Sequence, residues 1–249
     1  MSIIVGSSAG GVGDNLVFTP IFKKIKGATI ELLDHPKCRN VSVLFDGMAK
    51  VVFKEKPCGC PEKDITGHIA QNKLDGLGIQ DVNCIPWTIV KDFDYAWASY
   101  FLRRYYVGKP FLAFAADNNG SKDPSDWQAH YRLFPHWQEL LDILSEKYTI
   151  LQFGLSSSYT KFNNVYPLLD IPLQRLTGLY KYIGVYLGID TGDYHLMLAV
   201  GGISHVLVPP PSPFYSHRQW HYVPALWKDE VIRAHYVPFD EYKRVLKFL

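Results

Sequence analysis

Two short clusters of polar residues in this chain have the types and spacing to handle a phosphorylated ligand. The sharper is Gly188-Ile189-Asp190-Thr191-Gly192-Asp193-Tyr194-His195-Leu196. An apolar run ends at Ile189, and helical patterning resumes within a few residues. Asp190 or Thr191 can cap that helix, Gly192 lets the chain turn tightly, and His195 falls in the first turn. Free backbone amides, a hydroxyl and an imidazole at one helix N-terminus form an anion site suited to a diphosphate. The plainer reading is a capped strand–helix turn with an exposed histidine. Polar types this dense at the C-terminal end of a strand favour a crevice.

The second cluster is Gly10-Gly11-Val12-Gly13-Asp14, between an apolar strand and a helix. Gly11 and Gly13 would let backbone approach a ligand closely. No Gly-Lys-Ser/Thr follows, so it is not a phosphate loop of the Walker type. Leu16 stands where a dinucleotide fingerprint needs its third glycine. Asp14 is placed to cap the helix, and a carboxylate at a cleft edge can also take a proton from a sugar hydroxyl. A third segment, Tyr131-Arg132-Leu133-Phe134-Pro135-His136-Trp137, holds an arginine ahead of a proline-started helix. Arg132 could grip a phosphate through two parallel bonds, although a lone arginine is more often a solvated charge.

The elements that must position these residues alternate. A strand over 2–6 leads into a helix running to Lys26, with Pro20 predicted to kink it. Strands follow over 28–33, 41–45 and 49–53, then helices over 65–77 and 97–106. Gly108-Lys109-Pro110 marks a boundary between an N-terminal domain, 1–108, and a C-terminal domain, 109–249. The second begins with a buried strand, 111–115. Helices are predicted over 136–147, 173–182, 194–200 and 239–249, and strands over 148–153, 184–189 and 204–208. This alternation predicts an α/β protein with parallel sheets.

Composition narrows the class. Of 249 residues, 47% are hydrophobic and 20% charged, a normal balance for a chain with a real core. The net charge of +2 lacks the basic footprint of a nucleic-acid binder. No apolar run approaches the roughly 20 residues of a membrane span, so at most peripheral membrane association is expected. Met1-Ser2-Ile3-Ile4-Val5 lacks the features of a signal peptide. A cytoplasmic location is therefore expected, with Cys38, Cys58, Cys60 and Cys84 as free thiols.

Taken together, the three segments resemble the ADP-heptose:lipopolysaccharide heptosyltransferase family of glycosyltransferases. The resemblance rests on Gly13-Asp14 with Thr19-Pro20 and Lys23-Lys24, on Arg132-Leu133-Phe134-Pro135 with Trp137, and on Asp190-Thr191-Gly192-x-x-His195. His68 to Gly78 and the closing stretch from Val237 are similar to further family helices. The resemblance implies a GT-B fold, two Rossmann-like domains facing each other across a central cleft, with the final helix able to pack back on the first. It implies inverting, metal-independent transfer without a cofactor, from a nucleotide-diphosphate sugar to a glycan, lipid-linked glycan or protein acceptor.

By carry-over, Asp14 would be the general base. Arg132, Asp190, Thr191, Gly192 and His195 would bind the donor, with Gly11 and Gly13 beside it and Asn118 as a further contact. The chain departs from the family in a shorter N-terminal half and in Asp193, a negative charge where members often carry an uncharged residue. Two other functions fit parts of the pattern. One is a nicotinamide-dependent oxidoreductase, with Glu31 or Asp34 on the ribose. The other is a non-catalytic nucleotide-sugar binder.

Overall fold

The computed structural model describes residues 4–6, 12–16, 19–55, 87–116, 134–189, 191–208 and 233–249, leaving aside the side chains of 4–6, 14, 24 and 37. Two parallel sheets organise them. The smaller has the order β1-β2-β3, from β1 (Ile4–Gly6), β2 (Thr29–Leu33) and β3 (Lys50–Lys54). The larger contains β4 (Phe111–Ala115), β5 (Thr149–Gly154), β6 (Val165–Leu169), β7 (Val185–Ile189), β8 (Ile203–Val208) and β9 (Ala234–Pro238). Its order is β6-β5-β4-β7-β8-β9, parallel throughout. The chain starts at the centre, moves out to one edge, then returns to build the other side. This is the doubly wound arrangement, and its direction reverses between β4 and β7. A ligand crevice in such a sheet lies beyond the C-terminal strand ends at the reversal, here after Ala115 and Ile189.

Strands buried on both faces read as continuous apolar runs, and β4 and β7 do. Alternate residues serve different cores. Ala113, Ala115, Leu151, Tyr186 and Val206 face one, together with Leu16, Ile30, Leu32 and Phe45 around the small sheet, so the two sheets share a core. Leu112, Phe114, Ile150, Leu187, Ile189 and Leu207 face the other, which α5 (Trp137–Ser145) covers through Trp137, Leu140, Leu141 and Leu144.

On the shared side lie α4 (Asp92–Leu102), α6 (Leu173–Ile183) and α7 (Gly192–Ala199). α4 packs on α6, where the buried Asp94 carboxylate meets Arg175 at 3.1 Å. The stretch just before α4 stitches the small sheet to the large one. Trp87 donates its backbone N–H to Thr19 Oγ1 (2.9 Å) and its indole N–H to the Thr19 carbonyl (2.5 Å). Thr88 donates its hydroxyl to the Leu44 carbonyl (3.1 Å) and its backbone N–H to the Ala199 carbonyl at the end of α7 (3.2 Å).

Several elements differ from the sequence expectation. The N-terminal helix is two short ones, α1 (Val12–Leu16) and α2 (Ile21–Lys24), because Pro20 opens the second instead of bending one. Asp14 lies inside α1, not at its cap. The stretch 41–45, expected as a strand, ends α3 (Pro36–Val41) and continues as a 3-10 helix, Ser42–Phe45. Pro36 starts that helix, and a short apolar run does not distinguish helix from strand. The closing segment, Phe239–Lys247, is 3-10 instead of α-helical. It lies on the large sheet, burying Val245 in the second core and donating the Tyr242 hydroxyl to Glu139 of α5 at 2.7 Å. Among the described residues, no helix is long and apolar enough to cross a membrane.

Candidate active site

The segment Thr191–His195 stands directly after β7, at the C-terminal strand ends where the sheet order reverses. Thr191 is the N-cap of α7, in extended backbone (φ −136°, ψ 171°), and its Oγ1 accepts the Asp193 N–H at 3.2 Å. This satisfies one of the four first-turn amides that a helix leaves without partners. Below it, the Tyr186 hydroxyl lies 3.1 Å from Thr191 Oγ1. Asp193 turns inward: its Oδ1 accepts the Tyr180 hydroxyl at 2.7 Å. Burial raises the Asp193 carboxyl above the usual carboxylate range. Burial and the adjacent Asp193 push the Tyr180 phenol well above its own. His195 is buried in the first turn, its ring 3.8 Å from that of Tyr194, centroid to centroid.

The second motif reaches this helix end through α1. A Cβ on Gly13 would fall 2.7 Å from His195 Cδ2 and 3.3 Å from Nε2, and 3.5 Å from the Gly192 Cα. A Cβ on Gly192 would meet that of Val12 at 2.9 Å and the Gly13 nitrogen at 3.3 Å. Two glycines therefore allow α1 and α7 to touch backbone to backbone. The contact carries Asp14, the residue after Gly13, to the same place.

Of the residues singled out in the sequence, the structure thus brings Gly13, Thr191, Gly192 and His195 together, with the backbone of Asp14 beside them. Gly11, Asn118, Arg132 and Asp190 lie outside the described residues. The Thr191 hydroxyl is engaged within the fold, by the Asp193 amide and carboxylate and by Tyr186. Sequence reasoning missed Tyr180 and Tyr186. A tyrosine in the apolar strand Val185-Tyr186-Leu187-Gly188-Ile189 is a usable signal, because a buried phenol needs a partner.

No family model matches this sequence, and no curated protein matches it either. Solved structures do. The E. coli ADP-heptose lipopolysaccharide heptosyltransferase II superposes with a TM-score of 0.70 at 12% identity, over 99% of this chain and 97% of that one. A glycosyltransferase family 9 protein from Veillonella parvula gives 0.67 at 14% identity, over 99% and 89%. The E. coli heptosyltransferase WaaC with ADP gives 0.53 at 12%, over 100% and 97%. The chain has the GT-B fold of the ADP-heptose lipopolysaccharide heptosyltransferases and glycosyltransferase family 9 proteins.

Proposed function

We propose that this protein is a glycosyltransferase that moves a sugar, heptose or a related one, from a nucleotide-diphosphate donor to a hydroxyl of a glycan, lipid-linked glycan or protein. The observation that carries the reading is the contact of Gly13 with Gly192 and His195. It sets the helix that carries Asp14, from the smaller sheet's side, against the N-terminal end of α7, which follows β7 of the larger sheet.

In this reading residues 1–108 serve the acceptor and 109–249 the donor. The acceptor oxygen attacks the anomeric carbon as the bond to the diphosphate breaks, and Asp14 takes the hydroxyl proton. Attack from the face opposite the leaving group inverts the anomeric centre. The first-turn amides of α7, with His195 and Arg132, stabilise the departing diphosphate without a metal. Asp190 and Asn118 contact the donor's sugar and phosphates.

The oxidoreductase reading has less support. The two acids available for a ribose are already ion-paired, Glu31 with Lys54 and Asp34 with Arg39.

A thermal-shift screen against nucleotide sugars tests the proposal, since a ligand that binds only the folded state raises Tm by mass action. ADP-sugars come first, because one structural neighbour is described with ADP. The expected result is stabilisation by one donor class, with slow release of its nucleotide when acceptor is absent. Stabilisation by NADH and by no nucleotide sugar would overturn it.

A further inference from the structure

An acidic side chain in the first turn of a phosphate-facing helix is a liability, because a free carboxylate there repels the ligand. The geometry around Asp193 removes it. Tyr180, on α6, donates its hydroxyl to Asp193 Oδ1 at 2.7 Å. Asp193 Oδ2 lies 3.4 Å from Thr191 Oγ1, which also accepts the Asp193 amide at 3.2 Å. Tyr186, on β7, brings its hydroxyl to 3.1 Å from the same Thr191 oxygen and 3.3 Å from the Ile189 carbonyl. Both tyrosines are fully buried. A methyl group on Gly188 would overlap the Tyr186 hydroxyl and the Ala115 carbonyl, so the strand leaves out a side chain where the phenol passes.

Resting on the glycosyltransferase reading above, we propose that Tyr180, Tyr186 and Asp193 are positioning residues for the donor diphosphate. They form a largely buried brace that fixes the turn Thr191–Gly192 against α6 and β7, and they keep the Asp193 carboxylate turned away from the ligand. Buried, mutually satisfied polar groups of this kind hold one geometry rather than several. The brace acts through Thr191 and the helix end, and none of its members touches a reacting atom.

The test is steady-state kinetics of donor hydrolysis or transfer on four single variants, with Tm measured alongside. Asp193→Ala, which empties the centre of the brace, is expected to raise the donor KM about tenfold with kcat within about twofold. Asp193→Asn keeps an oxygen for the Tyr180 hydroxyl and should restore KM to within about threefold of the parent. Tyr180→Phe loses one oxygen and keeps the ring, so it should raise KM about fivefold; it carries the test if Asp193→Ala does not fold. Leu144→Val, a truncation in the other core, should lower Tm and leave KM unchanged.

A Tyr180→Phe variant with lowered Tm and unchanged donor KM would overturn the brace, leaving a merely structural contact. Loss of kcat in Asp193→Asn would overturn it too, by making Asp193 a chemical participant. Both results presuppose that the parent protein turns over a nucleotide sugar. Failure of the parent to bind any nucleotide sugar removes the underlying reading, and the brace with it.

Discussion

A methyl group placed on Gly13 would sit 2.7 Å from Cδ2 of His195, closer than carbon atoms pack. The two residues belong to different sheets' connections, and their contact is the point where the halves of the candidate site meet. Gly13→Ala is expected to push α1 and α7 apart, costing about 1–3 kcal/mol as overpacking does and reducing kcat/KM by more than tenfold. Coupling makes the test specific. With His195→Ala the two closest atoms are gone, and the next nearest, the Gly192 Cα, lies at an ordinary 3.5 Å. The Tm cost of Gly13→Ala should therefore shrink markedly in that background. Equal costs in both backgrounds would mean that the contact does not set the approach of the two helices.

In the proposed mechanism Asp14 takes the proton of the acceptor hydroxyl. General-base catalysis contributes typically 10²–10⁴-fold, and Asp14→Asn should lose a factor in that range from kcat. Donor affinity, read by the thermal shift with the same nucleotide sugar, should stay near that of the parent. Weakened donor binding with unaltered kcat would move Asp14 from base to ligand.

How much of this was readable in advance depends on burial. Strands β4 and β7 carry apolar residues on both faces, so periodicity and length placed them almost to the residue. The edge strands β6 and β9 escaped notice. β6 exposes Tyr166 and carries Pro167, which an edge tolerates and a central strand does not. At the site, Thr191 and His195 announced themselves by type and spacing. The brace did not, because Tyr180 and Asp193 meet only after α6 and α7 pack. The crossing of Gly13 and Gly192 is a tertiary event that no local pattern encodes, although each glycine was visible on its own.

Thr19 links the start of the chain to the segment leading into α4. Its hydroxyl donates to the Leu16 carbonyl at 2.7 Å and accepts the Trp87 N–H at 2.9 Å, with no exposure to solvent. Thr19→Val keeps the shape and deletes both bonds, leaving the Trp87 amide without its acceptor. A buried donor stranded in this way costs about 1–3 kcal/mol, and the urea midpoint should fall accordingly. Thr19→Ser keeps the hydroxyl and should recover most of that loss.

Acid sensitivity should arise at a different place, the pair His205–His235 at the beginning of β8 and β9. The rings stack at 5.0 Å and 12°, and Phe248 of the closing segment lies against both, 5.8 Å from His205 and 4.7 Å from His235. His205 is buried, and among the described residues its Nδ1 has no hydrogen-bond partner. Burial, and secondarily the neighbouring His235, push it down to about 4. The folded state therefore holds His205 neutral, while the unfolded chain protonates it near 6.5. Between those values the unfolded state binds the extra proton, so stability falls as pH is lowered, by at most about 1.4 kcal/mol per unit. Above 6.5 the residue contributes no pH dependence. His205→Phe, which keeps a flat ring in the stack, should flatten the fall in urea midpoint between pH 6.5 and 4.5 and match the parent's slope at pH 7–8. Parallel curves for the two proteins across the acid range would show that the loss comes from other groups.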